Sequence, residues 1–317
     1  MSTFHTEHVI EIAAPAATVY AALHAVTNWP NLFPPTVHAE VLEHDADGEH
    51  IRLWATANDT LKSWTSRRTF DTGRRHITFA QVVSASPVAA MRGKWAVQVI
   101  DAARSRVVLS HSYSPDDSPG ARAWIEAAVE TNSTRELASL KSSVEAQVQR
   151  PTATVTFADS LWIGAPPERI REFIDRADLW AQRLPHVDAV TLTEPVAGHQ
   201  FLELTTRTAN GDVHTTASWR VVLESGDIVY KQTQLPGLLS LHRGRWSFAP
   251  DGAGTLATSQ HTVTIIEDAV EPILGEGKTL DDATEFIRTA LGRNSLATLE
   301  HAKKWAESTD LTETGRK

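Results

Sequence analysis

Ile12-Ala-Ala-Pro15, near the start of the chain, returns as Ile163-Gly-Ala-Pro166, 151 positions later. The same spacing separates Trp29 from Trp180, Ile77-Thr-Phe-Ala-Gln81 from Ile228-Val-Tyr-Lys-Gln232, and Arg92-Gly-Lys-Trp95 from Arg243-Gly-Arg-Trp246. Leu32-Phe-Pro34 is paralleled by Arg183-Leu-Pro185. Self-similarity of this period is one domain written twice, not a solenoid. A length of 317 residues suits two such domains. The join is expected at Gln149-Arg-Pro-Thr152, where Pro151 breaks the preceding helix, giving domains 1–150 and 151–317.

Each copy reads in the same order. An alternating strand comes first, with His8, Ile10 and Ile12 on one face. A helix follows, opened by Pro15 or by Pro166-Pro167 and carrying Val19, Leu23 and Val26, or Ile170, Phe173 and Ile174. Several period-2 segments come next, separated by turns such as Asp45-Ala-Asp-Gly48 and Asp251-Gly-Ala-Gly254. A long amphipathic helix closes each copy, over about 121–148 and 280–306, and the polar tail from Glu307 is expected to fray. The predicted class is α+β, a curved antiparallel sheet of six or seven strands around one long helix, with a cavity between them as the expected ligand site.

Composition removes whole classes of function. The absence of cysteine excludes disulfide scaffolds, zinc–thiolate sites and cysteine nucleophiles. No run approaches the roughly 18 apolar residues of a membrane span, and the first residues lack a secretory pattern, so a cytoplasmic protein is expected. A net charge of -9 without a long basic run argues against nucleic acid. HExxH, GxGxxG, P-loop and GxSxG motifs are missing, and neither a metal nor a cofactor is expected.

Polar residues that interrupt apolar faces are the candidates for chemistry. Ile125, Val129, Asn132 and Glu136 share one helical stripe, as do Ile287, Leu291, Asn294 and Thr298. Either the stripe rolls into solvent at its polar end, or those groups face a polar cavity. The strand over 61–70 puts Trp64, Ser66, Arg68 and Phe70 on one side. If that side is inward, Arg68 needs a partner or a ligand oxygen. Val107, Leu109, His111 and Tyr113 share a face, where a histidine is either a satisfied core residue or a working base.

These motifs carry a resemblance: Trp29-Pro-Asn-Leu-Phe-Pro-Pro35, Ser63-Trp-Thr-Ser-Arg-Arg68, Pro87-Val-Ala-Ala-Met-Arg-Gly-Lys-Trp95, Leu109-Ser-His111 and Asn132-Ser133. The chain resembles the two-domain aromatase/cyclases of bacterial type II polyketide pathways, in the START/Bet v 1-like (SRPBCC) helix-grip superfamily. The resemblance implies a tandem repeat of two helix-grip domains. It implies first-ring (C7–C12) closure of a carrier-protein-bound, keto-reduced poly-β-ketone by intramolecular aldol condensation, then dehydration to an aromatic ring. The implied partners are an acyl carrier protein bearing the substrate and, transiently, a ketosynthase and ketoreductase.

Carried over by motif, the pocket arginine falls on Arg68, the catalytic histidine on His111 and the acidic partner on Glu136. Pocket walls and substrate contacts fall on Trp29, Phe33, Trp64, Ser66, Met91, Trp95, Tyr113 and Asn132. In the second copy His261 takes the histidine's place, Thr298 replaces the acid, and Trp246 and Asn294 keep the wall pattern. Arg220 matches Arg68 only if the next hairpin is one residue shorter; otherwise Trp219 takes the position. The first copy is expected to carry more of the chemistry and the second more of the positioning. The cluster His242-Arg-Gly-Arg245 is read either as a docking patch for an acidic carrier or as a solvated turn. A lipophile carrier of the same fold, or a scaffold within a synthase, is the competing reading.

Overall fold

The computed structural model describes residues 2–149 except 59 and 85, and residues 154–313 except 208–210 and 212. The chain divides into two units, Met1–Thr152 and Ala153–Lys317. The expected join falls within residues 149–152, of which 150–152 lie outside the described residues.

Unit one runs β1 (Phe4–Ile12), α1 (Ala16–His24), α2 (Trp29–Leu32), β2 (Thr36–Asp45), β3 (Gly48–Ala57), β4 (Thr60–Asp71), β5 (His76–Val83), β6 (Val88–Val99), β7 (Ser105–Pro115) and α3 (Ala121–Gln149). Unit two repeats it as β8 (Thr154–Ile163), α4 (Pro167–Asp175), α5 (Trp180–Arg183), β9 (Val187–Val196), β10 (His199–Arg207), β11 (Val213–Val222), β12 (Ile228–Gln234), β13 (Leu239–Asp251), β14 (Gly254–Ile265), an added helix α6 (Val270–Leu274), and α7 (Leu280–Glu313). Each sheet has seven antiparallel strands, in the order β1-β7-β6-β5-β4-β3-β2 and its counterpart β8-β14-β13-β12-β11-β10-β9. Among the described residues only the first strand breaks the meander: it pairs with the last one, and the remaining strands follow one another in order. The insertion of α6 is why equivalent positions on the closing helices lie 162 residues apart instead of 151.

The closing helix of unit one does two jobs along its length. Its C-terminal half buries Leu137, Leu140 and Val144 in a core with Ile12, Val19, Leu23, Phe33, Ile51 and Trp95. Its N-terminal half leaves Ile125, Val129, Asn132, Ser133 and Glu136 over open space between helix and sheet. Asn132 and Glu136 are therefore a polar interruption inside an apolar stripe, because buried Leu140 and Val144 continue the stripe beyond them. In unit two, Leu299, Ala302 and Ala306 continue it in the same way.

The second closing helix does not end near residue 306, as its pattern suggests, but continues to Glu313. Glu307 is tied down: its Oε1 accepts from the Gly164 backbone N–H at 2.9 Å and pairs with Lys303 at 2.8 Å. The tertiary contact holds a turn that helix propensity alone leaves loose.

Candidate functional site

One row of residues, running straight across each sheet, sets the site. In unit one the register is Glu49↔Arg68↔Phe79↔Gly93↔His111, one residue from each of β3, β4, β5, β6 and β7. In unit two it is Gln200↔Arg220↔Tyr230↔Gly244↔His261 on β10 to β14. Residues directly opposite one another share a face, so each row presents its side chains inward, toward the closing helix. From arginine to histidine it spans three strand spacings, about 14 Å of sheet. The glycine is a steric necessity: a Cβ at Gly93 would lie 2.4 Å from Phe79 Cζ, and one at Gly244 would lie 2.4 Å from Tyr230 Cζ. The aromatic ring lies over the glycine and fills the gap between arginine and histidine.

The cavity of unit one measures about 160 Å³. Trp29, Trp64, Met91 and Trp95 supply apolar wall; Ser66, Arg68, His111, Asn132 and Glu136 are among the polar residues of the lining. Arg68 is only 1% exposed. Its Nη2 donates to the His24 carbonyl at 2.9 Å, at the C-terminal end of α1 where the helix dipole favours a cation. Its Nε lies 3.3 Å from Glu49 Oε1, an ion pair lacking hydrogen-bond alignment. The guanidinium lies over the rings of Trp29 and Phe70, 5.2 Å from each centroid. Its Nη1 has no protein partner among the described residues. Burial pulls its pKa down to about 10, which leaves it cationic at neutral pH.

His111 packs its ring edge-on to Phe79, centroids 5.5 Å apart, and its Nδ1 is buried without a partner among the described residues. Burial, then the nearby His8, pushes its pKa down to about 4, so the imidazole is neutral. Glu136 moves the opposite way: burial pushes it up to about 8, so it holds its proton. Asn132 ties the helix to β3, its amide donating to the Thr56 carbonyl at 3.1 Å.

The cavity of unit two, about 130 Å³, is lined by Trp180, Ser218, Arg220, Tyr230, Trp246, His261, Asn294, Ser295 and Thr298, among others. Arg220 repeats the anchoring of Arg68: Nη2 donates to the Ile174 carbonyl at 2.7 Å and Nη1 has no partner among the described residues. Burial lowers its pKa to about 10. The carboxylate has moved, however. Gln200 stands where Glu49 does, and its Nε2 donates to Asp175 Oδ1 at 2.8 Å.

The chain matches the family model described as "Polyketide cyclase / dehydrase and lipid transport" over residues 3–145. It is 38% identical over 95% of its length to the granaticin polyketide synthase bifunctional cyclase/dehydratase of Streptomyces violaceoruber, covering 94% of that protein. It is 39% identical over 93% of its length to the actinorhodin polyketide synthase bifunctional cyclase/dehydratase of Streptomyces coelicolor, again covering 94%. The chain belongs to the polyketide cyclase/dehydratase family. The crystal structure of the di-domain ARO/CYC BexL from the BE-7585A biosynthetic pathway superposes with a TM-score of 0.84 at 48% identity, covering 96% of this chain and 99% of that one. The tandem helix-grip architecture and the enzymatic class, cyclisation with dehydration, follow.

Several residues that family motifs assign to the pocket lie elsewhere. Phe33 does not reach the cavity; it is core, stacked on Trp95 at 6.1 Å. Tyr113, one step beyond His111 on the same face, packs with Phe4, Ile125 and Val129 under the start of α3. Trp219 lies on the opposite face of β11 and packs on Phe201, centroids 5.0 Å apart; Arg220 holds the arginine's position. The cluster His242-Arg-Gly-Arg245 is not one surface patch. His242 is 3% exposed, and Arg245 is paired with Asp227. An alternating strand sends neighbouring residues to opposite faces.

Sequence reasoning missed Glu49, Tyr230, Ser259 and Ser295, and placed His242 at the surface instead of beside His261. Glu49 follows the turn glycine Gly48 and reads as hairpin surface, yet it is 3% exposed. Ser295 carried a signal, since Asn294-Ser295 repeats Asn132-Ser133. Among the described residues no group of three or more His, Asp or Glu side chains is arranged to hold a metal.

Proposed function

We propose that the chain closes the first ring (C7–C12) of a keto-reduced poly-β-ketone, delivered on an acyl carrier protein, by intramolecular aldol condensation, and dehydrates it to an aromatic ring. Residues 1–150 act as the ring-closing cyclase domain and 151–317 as a cyclase-like partner. Contact with the ketosynthase and ketoreductase is transient. The observation that supports this best is the buried, charged Arg68, its Nη1 unpartnered among the described residues, in the lining of a tryptophan-walled cavity that also holds His111 and Glu136. A purely apolar ligand needs no such donor.

Closure requires three events. A base takes a proton from the carbon between two carbonyls; the enolate carbon bonds to a distant carbonyl carbon; the new alkoxide takes a proton. Neutral His111 serves as base. Arg68 Nη1 holds the oxygen on which negative charge develops. Protonated Glu136 supplies the alkoxide's proton. Two titratable groups pushed apart in pKa by one cavity suit opposite roles. The walls select one fold of a flexible, reactive chain and exclude water.

The test is to combine the purified chain with a minimal polyketide synthase and a ketoreductase and profile the products. Wild type gives the aromatised first ring. Arg68→Ala or His111→Ala lowers it by about 10²–10⁴-fold in favour of spontaneous shunt products. An unchanged profile from both variants would refute the assignment, and binding without turnover would favour a lipophile carrier.

A further inference from the structure

Unit two contains an arrangement that unit one lacks. Tyr230 stands where unit one has Phe79, in the same place on its row. His242 lies two residues before Gly244, as Met91 lies two before Gly93, so it projects on the same face. These differences add a hydroxyl and an imidazole beside His261. His261 Nδ1 lies 3.0 Å from Tyr230 Oη and 3.0 Å from His242 Nε2, and Tyr230 Oη lies 3.4 Å from His242 Nε2. On the other side of the ring, His261 Nε2 lies 2.7 Å from Ser295 Oγ and 3.2 Å from Ser259 Oγ. Both ring nitrogens of His261 are thus occupied, and Tyr230 and Ser295, two residues of the cavity lining, place their hydroxyls at opposite ends of its imidazole.

The geometry allows two tautomers of one network. In one, His261 carries its proton on Nε2 and donates to Ser295. In the other, Ser295 donates to Nε2, and the Nδ1 proton points at Tyr230 and His242. Switching between them moves a proton from one hydroxyl to the other. Both imidazoles are neutral, since burial holds His261 down to about 4 and His242, with the neighbouring His261, to about 3. Arg220, its Nη1 unpartnered among the described residues, lines the same cavity.

We propose that unit two is a second acid–base site, in which Ser295 and Tyr230, joined through His261 and positioned by His242, pass a proton across the cavity while Arg220 holds a carbonyl oxygen, and that it removes water from a ring-closed β-hydroxy ketone. The step balances without a co-reactant. The C–H bond beside the carbonyl breaks and its proton enters the network at one hydroxyl. The C–O bond breaks as the network releases a proton to the departing hydroxyl at the other, a C=C bond forms, and water leaves. Tyr230 and Ser295 are the catalytic residues; His242, which does not line the cavity, is a positioning residue. The inference rests on the ring-closing reading of unit one and extends it.

The test uses the full chain in the same reconstituted system, scoring the ring-closed alcohol and the aromatic product separately. Tyr230→Phe restores the residue of unit one, and Ser295→Ala is a small change on a helix that favours alanine. Each is expected to lower the aromatic product about 10²-fold while the ring-closed alcohol accumulates. Nitrogen-15 NMR of the histidines provides a second readout. Wild-type His261 should show mixed tautomers. His242→Met should collapse them to one, and His242→Gln, which supplies a donor at similar reach, should restore part of the mixture and part of the dehydration. Normal dehydration in both Tyr230→Phe and Ser295→Ala, or a single His261 tautomer in wild type, overturns the proposal. Failure of wild type to close a ring refutes the parent reading instead, so the two failures are distinguishable.

Discussion

At the scale of single residues, the two units solve one electrostatic problem differently. A guanidinium buried between helix and sheet needs negative charge nearby. Unit one provides it at Glu49, 3.3 Å from Arg68. Unit two places neutral Gln200 there and recruits Asp175 behind it. The residue after the carbonyl that each arginine holds is Ala25 in unit one and Asp175 in unit two, so unit one has no reserve. Glu49→Gln is therefore expected to cost about 3–5 kcal/mol, the usual penalty for stranding a buried charge. Chemical denaturation measures this, and adding Ala25→Asp should recover part of the loss. Glu136 gives a second prediction. Its folded pKa of about 8 lies above the ordinary 4.5, so folding retains a proton that the unfolded chain releases as pH rises through 4.5. Its contribution to stability falls between those values. Glu136→Gln should raise the melting temperature more at pH 8 than at pH 5, by about 2–4 °C for each kcal/mol gained. The same substitution should remove an alkaline fall in kcat/KM centred near pH 8 in wild type.

At the scale of elements, the strand row carries the site, and its weakest tolerance is at the glycine. A methyl group at Gly93 would lie 2.3 Å from the Ser110 carbonyl and 2.4 Å from Phe79. Gly93→Ala should push the Phe79 ring toward the cavity and separate β6 from β7, costing about 1–3 kcal/mol. Intrinsic fluorescence of Trp95, on the same strand face, and melting temperature would register it. Much of this was legible in the chain: alternation put Trp64, Ser66 and Arg68 on one face and Leu109 and His111 on another, and those faces are inward. What alternation does not reveal is which residues stand opposite one another. The offset between equivalent residues drifts along the row, from 152 at Arg68 and Arg220 to 150 at His111 and His261. Hairpins of unequal length cause that drift, and only hydrogen-bonded register cancels it. That is why Trp219 competed with Arg220 in the sequence and does not in the fold.

At the scale of the whole molecule, buried neutral histidines give a pH signature. His111, His242 and His261 all have folded pKa values well below 6.5, at about 4, 3 and 4. As pH falls below 6.5 the unfolded chain binds protons that the folded chain refuses, so stability falls progressively toward pH 4. Below that, Asp45 and Asp282, both lowered to about 2, take over the loss. Melting temperatures between pH 7 and 4 should show this slope, and His242→Met should flatten it. The sequence by itself determined the duplication, the α+β class, the inward faces and most of the first cavity, because each is written in local periodicity or in a repeated spacing. The tertiary structure alone decided the partners of those residues. Glu49 for Arg68, the Tyr230–His242–His261–Ser295 network, and the exclusion of Phe33 and Tyr113 from the cavity all depend on contacts between strands and helices far apart in the chain. Periodicity says which way a side chain points; only packing says what it meets there.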